Sequence, residues 1–583
     1  GDPTARTYGS TFRPATLTDE NGAITQLTWS EDGANLTQLI DAEGAQVDLT
    51  FDSLNNLRTV EDGDRNTTTY TYNENDPDPA RRTLLLSVQD ALTHTTSYTY
   101  TTSADYPQPE GLLKTITDPN GHVTQFVYNA FGQRVEMIDA LNHTTLHAYD
   151  SLGRLQSTAD PLGHVTWTCY DAASRIVRTV TNATGNGGSP QTDPCNAMQY
   201  IPSSDPDRDR ITTTVYDEAG NVIATIDPGG DIARTYYDAD NRPVYVVQNL
   251  MGQAIEVGTP PTYDPQYPDR NVRTQTVYDD QGNPIASIDN AGIITRTYYD
   301  TLNRPEYVVS NLVGQGIGVG SPPAYDPQYP DRNVRTRTVY DDAGNAIATI
   351  DTLGQITRTY YDLDRRPVTV VQNLTGQGIE VETPPARGSG DQNLRTDTSY
   401  DDNGNAIAMV DPNGTITRTY YDAVNRPQYV VANLTGQGIG VGTPPNGCQA
   451  TAPDENVCSE YVYDDAGSQI AVIDPLGVIS RTYYDDADRP VTVVQNLVGQ
   501  PISSGTPPAR NPATPDENVR TDTVYDDAGN AIATVDPNGI ITRTYHDGLG
   551  RVRYIVRNLT GQGIEVETPP AFNPTYPDRN VRS

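Results

Sequence analysis

The chain contains very little positive charge. Its 583 residues include a single lysine, Lys114, and the 39 basic residues face 76 acidic ones, which gives a formal net charge of −37. A chain this acidic repels phosphate backbones and anionic lipid headgroups. The composition therefore argues against a nucleic-acid partner and against a protein that binds membrane surfaces.

Long apolar runs are also missing. Hydrophobic residues make up only 35% of the chain, and no stretch approaches the roughly 20 apolar residues that a membrane-spanning helix needs. The sequence begins at Gly1 without an initiator methionine or a signal-like apolar segment. We expect no membrane insertion in this segment, and we expect the chain to be a processed or excised piece of a longer protein.

Phenylalanine and tryptophan are scarce, at 5 and 2 residues, whereas tyrosine occurs 37 times. The bias comes from a repeat of about 62 residues that is written six times, with anchors spaced by 62, 62, 60, 63 and 62 residues. A second anchor follows the first after about 21 residues. The anchors are Tyr216, Tyr237, Tyr278, Tyr299, Tyr340, Tyr361, Tyr400, Tyr421, Tyr463, Tyr484 and Tyr525, with His546 in the last second position.

The repeat spacing divides the chain into three parts. Residues 1–175 hold irregular steps of 21 to 28 residues, residues 176–210 are an insertion or linker, and residues 211–583 hold the six near-identical repeats. The remaining gap in each repeat is close to two steps. We interpret each repeat as two YD hairpins and a degenerate third step with a Pro-rich loop.

Each step predicts a β-hairpin. Residues 293–311 have arms rich in Thr, Tyr, Val and Ile around Asp300 and Asn303, which are residues that favour a chain reversal. The alternate reversals carry turn sequences such as DPNG at residues 118–121. We expect a cross-turn ion pair between Asp300 and Arg304. Because neither face of the hairpin is purely apolar, we also expect water on both sides of the sheet.

The motifs YDSLGRLQSTADPLGHVTWTCYD at residues 149–171 and YDDAGNAIATIDPNGIITRTYHD at residues 525–547 resemble the YD-repeat, or Rhs-repeat, family. The resemblance covers essentially the whole chain. It implies hairpins that wind into a spiralling sheet around a hollow shell, as in bacterial toxin cocoons and teneurin adhesion proteins. Two features of the toxin cocoons, the self-cleavage segment and the C-terminal toxin domain, are not found in this sequence.

The predicted fold class is all-β, with stacked antiparallel YD hairpins forming a spiralling sheet, a hollow shell or a β-solenoid tube. Strict repetition favours constant rotation and rise, and hence an open tube. A β-propeller with four strands per repeat is the alternative. The continuous 21-residue register of the N-terminal third argues against the propeller.

The four cysteines occur where the repeat is interrupted. Their even number and local grouping predict disulfides between Cys169 and Cys195 and between Cys448 and Cys458, and hence an oxidising compartment. Four free thiols are the alternative. A zinc site that combined all four cysteines would have to span about 250 residues, which the repeat makes improbable.

Several positions are candidates for modification. Sequons occur in the third-step loops, and Thr-Pro-Pro segments in the same loops are candidates for O-glycans, with unmodified turns as the alternative. The sequons are Asn373, Asn433 and Asn558, and the threonines are Thr259, Thr383, Thr443, Thr506 and Thr568.

No cofactor is predicted, and Ca²⁺ is the one candidate ion. Acidic turns such as Asp279, Asp280 and Asn283 offer oxygen ligands for Ca²⁺, but they lack the ordered spacing of a known loop, and solvated turns are the alternative. Four histidines, His94, His122, His143 and His164, occupy equivalent positions in neighbouring steps. Steps about 10 Å apart keep three of them from sharing one metal ion. We therefore interpret them as a ladder of surface residues beside the turns.

The leading hypothesis is a secreted structural protein that builds a fibre, a tube or a cell-surface appendage. The first alternative is the encapsulating shell of a polymorphic toxin or toxin complex, with its cargo outside this segment, and the second is an adhesin that binds glycans or other cells. We expect no enzyme, because no catalytic constellation stands apart from the repeat. The expected partner is a second copy or a continuation of the same array.

Overall fold

The computed structural model describes residues 5–9, 12–19, 22–388, 390–445, 448, 454–511, 513–547, 551–571, 575–576 and 578–583. Within these residues, 41 strands form one antiparallel sheet, and the only helical segments are the short 3-10 turns Pro79–Arg81 and Ser103–Asp105. The predicted fold class, an all-β chain of stacked antiparallel YD hairpins, is confirmed.

The strands of the N-terminal third are short and regularly spaced. They are β1 (Ala5–Tyr8), β2 (Pro14–Thr18), β3 (Ile24–Trp29), β4 (Leu36–Ile40), β5 (Gln46–Phe51), β6 (Leu57–Glu61), β7 (Thr67–Tyr72), β8 (Leu85–Gln89), β9 (Thr95–Tyr100), β10 (Leu113–Thr117), β11 (Val123–Tyr128), β12 (Arg134–Ile138), β13 (Thr144–Tyr149), β14 (Leu155–Ala159), β15 (Val165–Tyr170) and β16 (Ile176–Thr181).

Each 62-residue repeat contributes four strands. They are β17 (Arg210–Tyr216), β18 (Val222–Ile226), β19 (Ile232–Tyr237), β20 (Pro243–Gln248), β21 (Val272–Tyr278), β22 (Pro284–Ile288), β23 (Ile294–Tyr299), β24 (Pro305–Ser310), β25 (Val334–Tyr340), β26 (Ala346–Ile350), β27 (Ile356–Tyr361), β28 (Pro367–Gln372), β29 (Leu394–Tyr400), β30 (Ala406–Val410), β31 (Ile416–Tyr421), β32 (Pro427–Ala432), β33 (Val457–Tyr463), β34 (Gln469–Ile473), β35 (Ile479–Tyr484), β36 (Pro490–Gln495), β37 (Val519–Tyr525), β38 (Ala531–Val535), β39 (Ile541–His546) and β40 (Val552–Arg557), followed by β41 (Val581–Arg582).

The YD turn is built as its sequence predicts. Between β23 and β24, the backbone N–H of Asp300 donates to the carbonyl of Arg304 at 2.9 Å, and that of Asn303 donates back to Asp300 at 3.1 Å. Asn303 has φ +58°, a left-handed conformation that asparagine tolerates better than most residues. The register shifts at Tyr299, which pairs with Pro305. Each YD anchor therefore lies at a bulge, where strand pairing gives way to the turn.

The expectation of water on both faces of the sheet is wrong for the 62-residue repeats. The third step, residues 311–333 in the second repeat, contains no strand and lies against the face that carries Tyr298. Tyr298 is 5% exposed and Val309 is fully buried. The loop inserts Leu312, whose N–H donates to the carbonyl of Ile294 at 2.9 Å. Each repeat thus forms its own small core between a hairpin and its loop.

The chain forms two compact units. The first comprises Gly1–His164, Asp362–Val368 and Thr396–Ser583, and the second comprises Val165–Tyr361 and Thr369–Arg395. In the part of the chain that the structure describes, no helix has the length and apolar character needed to cross a membrane.

Candidate functional site

The anchor tyrosines connect successive hairpins through their hydroxyl groups. Tyr299 donates to the carbonyl of Pro284 at 3.1 Å, and Tyr340 donates to that of Pro305 at 3.0 Å. The acceptor in each case opens a strand of the preceding hairpin. The same bond is made by Tyr216, Tyr237, Tyr278, Tyr361, Tyr400, Tyr421, Tyr463, Tyr484 and Tyr525.

The predicted ion pair across the YD turn is confirmed. Arg304 Nε lies 2.7 Å from Asp300 Oδ2. The guanidinium also lies 4.5 Å from the centre of the Tyr340 ring and donates to the carbonyl of Asp341 at 3.1 Å. One arginine therefore joins its own turn to the next anchor through charge, stacking and hydrogen bonding.

A second class of arginine is buried, which the sequence pattern did not predict. Arg296 is only 7% exposed, and it donates to the carbonyls of Ile317 at 2.8 Å and Ile285 at 2.9 Å. The loop glutamine Gln315 donates to the Tyr298 hydroxyl at 2.6 Å. These polar contacts hold the third-step loop over the sheet. The repeated motif RTY before YD was the available signal.

The structure contains both disulfides, Cys169–Cys195 and Cys448–Cys458. The first ties the insertion to β15. In that insertion the carboxylate of Asp209, 4% exposed, accepts hydrogen bonds from the Tyr200 hydroxyl and the Ser203 N–H, both at 2.6 Å. Burial and the bond to Asp209 raise the pKa of Tyr200 to about 12. The disulfide and the bonds to Asp209 therefore hold the insertion together.

The sequon asparagines have a structural role in their loops. Asn373, Asn433 and Asn558 donate through Nδ2 to the backbone carbonyls of Asp391, Asp454 and Asp578 at 2.7, 2.6 and 2.9 Å. Asn249, in a repeat without a sequon, makes the same bond to Asp269 at 2.7 Å. The fold alone therefore accounts for these asparagines, and their glycosylation stays a prediction.

The candidate O-glycan sites lie on exposed loops. Thr259, Thr383, Thr443, Thr506 and Thr568 are all exposed, and each backbone carbonyl accepts a bond of 3.1 Å from the side chain of a glutamine six residues earlier. Their hydroxyl groups have no part in that bond. O-glycosylation also stays a prediction, which peptide mass spectrometry of the native protein tests.

The acidic turns suggested for Ca²⁺ are largely satisfied by their own chain. Asp279 accepts from the backbone N–H groups of Gln281 and Asn283 at 3.0 and 2.8 Å, and from the Asn283 amide at 3.0 Å. Asp280 is exposed. This geometry is that of an Asx turn, and calcium binding at this turn stays a prediction.

Within the first compact unit, two distant stretches of chain meet at their turns. Turns between residues 19 and 143 contact turns between residues 363 and 527, and we call this contact the seam. At one end Arg365 Nη2 lies 2.9 Å from Asp19 Oδ2, and the N–H of Leu363 donates to Glu43 Oε1 at 2.8 Å. The residues joined by these bonds are 346 and 320 positions apart.

Near Gly63 the seam is held by close backbone approach. A Cβ on Gly63 would lie 2.5 Å from the carbonyl oxygen of Asp402, a distance that no side chain tolerates. Asn403 Nδ2 donates to Asp62 Oδ2 at 2.8 Å. Burial and the neighbouring carboxylates of Asp401, Asp62 and Asp402 raise the pKa of Asp64 to about 6. This part of the seam therefore carries unfavourable negative charge at neutral pH.

The histidine ladder lies on the other part of the seam. His94, His122 and His143 each place Nδ1 at 3.0 Å from the aspartate four residues earlier. Their Nε2 atoms face the second aspartate of YDD turns across the seam, which are Asp465 at 3.4 Å, Asp486 at 3.7 Å and Asp527 at 3.4 Å. Three of the four ladder histidines therefore form a row of contacts between two stretches of chain, which equivalent spacing alone did not reveal, and His164 contacts Asp160 of its own turn at 2.9 Å.

The RHS Repeat family matches the chain at residues 109–144, 149–186 and 400–433. No relative among the curated proteins matches it. The chain is similar to the crystal structure of TcdB2-TccC3, at 15% identity over 99% of this chain and 32% of that one, with a TM-score of 0.45. The chain is also similar to the crystal structure of TcdB2-TccC3 without its hypervariable C-terminal region, at 14% identity over 99% of this chain and 34% of that one, with a TM-score of 0.45.

A third similar structure is the Photorhabdus luminescens Tc holotoxin pore with a mutated TccC3, at 13% identity over 95% of this chain and 33% of that one, with a TM-score of 0.40. The chain spans about a third of the length of these solved chains. The family matches fall on YD steps of the N-terminal third and on the fourth 62-residue repeat. The chain therefore contains RHS repeats at these three places.

Proposed function

We propose that the chain forms part of the wall of an encapsulating shell that belongs to a polymorphic toxin or toxin complex. The observation that carries this proposal is the seam, where the turns of two distant stretches contact one another. Side-by-side contact of two stretches of sheet produces a continuous surface, whereas hairpins that touch only their sequence neighbours produce a ribbon. The RHS repeats give the proposal further support.

The fibre, tube or cell-surface appendage was the leading hypothesis from the sequence, and the shell now replaces it. Six near-identical repeats favour constant rotation, but the seam pairs the third to sixth of them with the irregular steps of the N-terminal third. A repeat that contacts a different sequence on one side is no longer equivalent to its neighbours along an array. This loss of equivalence favours an assembly with a definite extent.

The proposed location is outside the cytoplasm, in a secreted protein. Two disulfides support an oxidising compartment. Proposed partners are other proteins of the same complex or a further copy of the array, because the wall of a shell must be completed. The role is structural, and glycan binding by the Thr-Pro-Pro loops is the remaining adhesin alternative.

Electron microscopy of the purified protein, combined with light scattering in solution, tests the shell. We expect discrete particles of defined mass, with internal space in class averages. Long uniform filaments whose mass grows with concentration would contradict the shell and restore the fibre. Variants that open the seam serve as a control, because they are expected to change the particle outline while the hairpins stay folded.

A further inference from the structure

His122 differs from the other histidines of the seam in having two carboxylates within 4 Å of Nδ1. Asp118 Oδ2 lies 3.0 Å from Nδ1, and Asp488 Oδ1 lies 3.8 Å from the same atom. One ligand atom from each of the three residues lies within 4.8 Å of the others. We propose that Asp118, His122 and Asp488 bind a first-row divalent metal ion, of which Zn²⁺ is the best fit.

The distances are those of an open three-ligand site. Metal bonds of about 2.0 to 2.2 Å to imidazole nitrogen and carboxylate oxygen place neighbouring ligands about 3 to 3.5 Å apart. The pair at 3.0 Å already meets this spacing, and the pair at 3.8 Å needs only a small movement of Asp488, whose side chain is 45% exposed. Asp118 and His122 are held in place relative to each other, because Asp118 Oδ1 accepts a hydrogen bond from the backbone N–H of His122 at 2.7 Å.

A metal ion at Nδ1 would replace the hydrogen bond of 3.0 Å between Nδ1 and Asp118 Oδ2. The ring proton would then lie on Nε2, which faces Asp486 Oδ1 at 3.7 Å. Beside the ring lies a cavity of about 250 Å³ lined by His122, Asp139, Asn142 and Asp486 among others. This cavity gives water access to the imidazole ring.

The local charge also favours a cation. Asp464 lies on the same side of the seam as Asp488 and accepts the amide of Asn120 at 3.2 Å. The nearest arginine on that turn, Arg489, is already bound to Asp485 at 2.8 Å. A divalent ion would neutralise the surplus of carboxylates.

The sequence departs from its own repeat at this site. The position of Asp488 in the YD turn is Asn241, Asn303 and Asn425 in other repeats, and all four residues have positive φ. Asparagine fits this left-handed position at least as well as aspartate, so the turn does not need the carboxylate. Imidazole and two carboxylates suit Zn²⁺, whereas Ca²⁺ and Mg²⁺ prefer oxygen ligands alone.

Zinc titration of the metal-free full chain by calorimetry, with Co²⁺ absorption spectra as a second readout, tests the site. We expect one Zn²⁺ per chain, a melting temperature raised by Zn²⁺, and Co²⁺ bands typical of nitrogen and oxygen ligands. Asp488→Asn restores the residue of the other repeats, so it should fold normally. We expect this variant to bind Zn²⁺ at least tenfold more weakly.

The matched control is Asp527→Asn, which removes a histidine–aspartate contact of the same seam, at Nε2 of His143, and should leave zinc binding unchanged. Equal zinc affinity in Asp488→Asn and the unmodified chain would overturn the proposal. So would absence of zinc binding to the unmodified chain, or a melting shift caused by Ca²⁺ and not by Zn²⁺. The proposal is independent of the shell, because a fibre with the same seam would carry the same site.

Discussion

Single side chains in this protein act at several places at once. Arg304 pairs with Asp300, covers the ring of Tyr340 and donates to the carbonyl of Asp341. Burial disfavours ionisation of Asp300, but hydrogen bonds from the backbone and guanidinium of Arg304 outweigh it, so the pKa of Asp300 lies below its ordinary value. The YD turn is thus stabilised by the ionised carboxylate.

Asp300→Asn keeps an oxygen for the turn but loses the ion pair. We expect it to destabilise the turn by about 0.2 to 1 kcal/mol at pH 7. A lowered pKa contributes stability above the ordinary value, and this stability is lost as the pH falls through the lowered pKa. The difference between variant and unmodified chain should therefore vanish in acid. Hydrogen exchange of the 299–306 peptide measures this destabilisation of the turn, and Asp280→Asn, at an exposed residue, is the control. Equal exchange of the Asp300→Asn variant and the unmodified chain at pH 7 would contradict the prediction.

The pKa shift of Asp64 is opposite in direction to that of Asp300, because the pKa of Asp64 is raised to about 6. The ionised form is disfavoured in the folded chain, so an unfavourable contribution grows as the pH rises from the ordinary value to about 6 and is complete above it. Asp64→Asn should raise the melting temperature of the first compact unit at pH 7.5 and leave it unchanged near pH 4. Asp342→Asn, an exposed substitution in the second compact unit, should have no effect at either pH. A stabilisation of equal size at both pH values would show that the charge of Asp64 is not the cause.

Each 62-residue repeat consists of a pair of hairpins and a third-step loop that packs over one face of the sheet. We call this loop the cover. Arg296, Tyr298 and Val309 on the sheet are buried by the loop that carries Leu312 and Gln315. The loop has no regular structure, but its backbone and side-chain bonds recur from repeat to repeat. It therefore behaves as a structural element and not as a connection.

Leu312→Ala should open the cover of the second repeat. Leucine-to-alanine changes in cores cost about 2 to 5 kcal/mol, and a repeat array responds locally because each repeat contacts few others. We expect faster hydrogen exchange in residues 294–298 and 312–317 and little change in the first repeat. Val313→Ala is the matched control, since Val313 is 40% exposed. If both variants exchanged alike, the cover would not depend on Leu312.

At the scale of the whole molecule, the seam joins stretches of chain that the repeat does not relate. Its contacts combine an ion pair at Asp19, close backbone approach at Gly63 and histidine–aspartate contacts at three steps. The seam thus decides how much of the sheet becomes a continuous surface within the first compact unit.

Arg365→Asn tests the seam without disturbing its turn, because Asn303 and Asn425 occupy the same left-handed position in other repeats. Loss of the pair with Asp19 should weaken this end of the seam by about 1 kcal/mol. Hydrogen exchange should increase at residues 15–19 and 362–366. Asp19→Asn should have a similar effect, and the double variant should add little to it. Fully additive effects would mean that the two residues do not interact in solution.

The hairpins could be predicted from the sequence because their causes are local. Turn residues such as Asp300 and Asn303, β-favouring arms and a repeated anchor determine strand, reversal and neighbour within about 20 residues. The Asp300–Arg304 pair followed from the same short range, and so did the pairing of Cys169 with Cys195. Burial of Tyr298 by the third-step loop was not predicted, because Gln315 and Leu312 lie in a segment without hydrophobic periodicity. Both faces of the sheet were therefore expected to contact water.

The sequence by itself determined an acidic, all-β array of YD hairpins, since each hairpin is specified by its own residues. Only the tertiary structure brought Asp19 to Arg365 and placed Asp488 beside His122, because contacts between residues more than 300 positions apart depend on the accumulated twist and length of every strand between them. Small differences in the twist and length of each hairpin add up over such a distance along the chain. For that reason the turns were predictable and the seam was not.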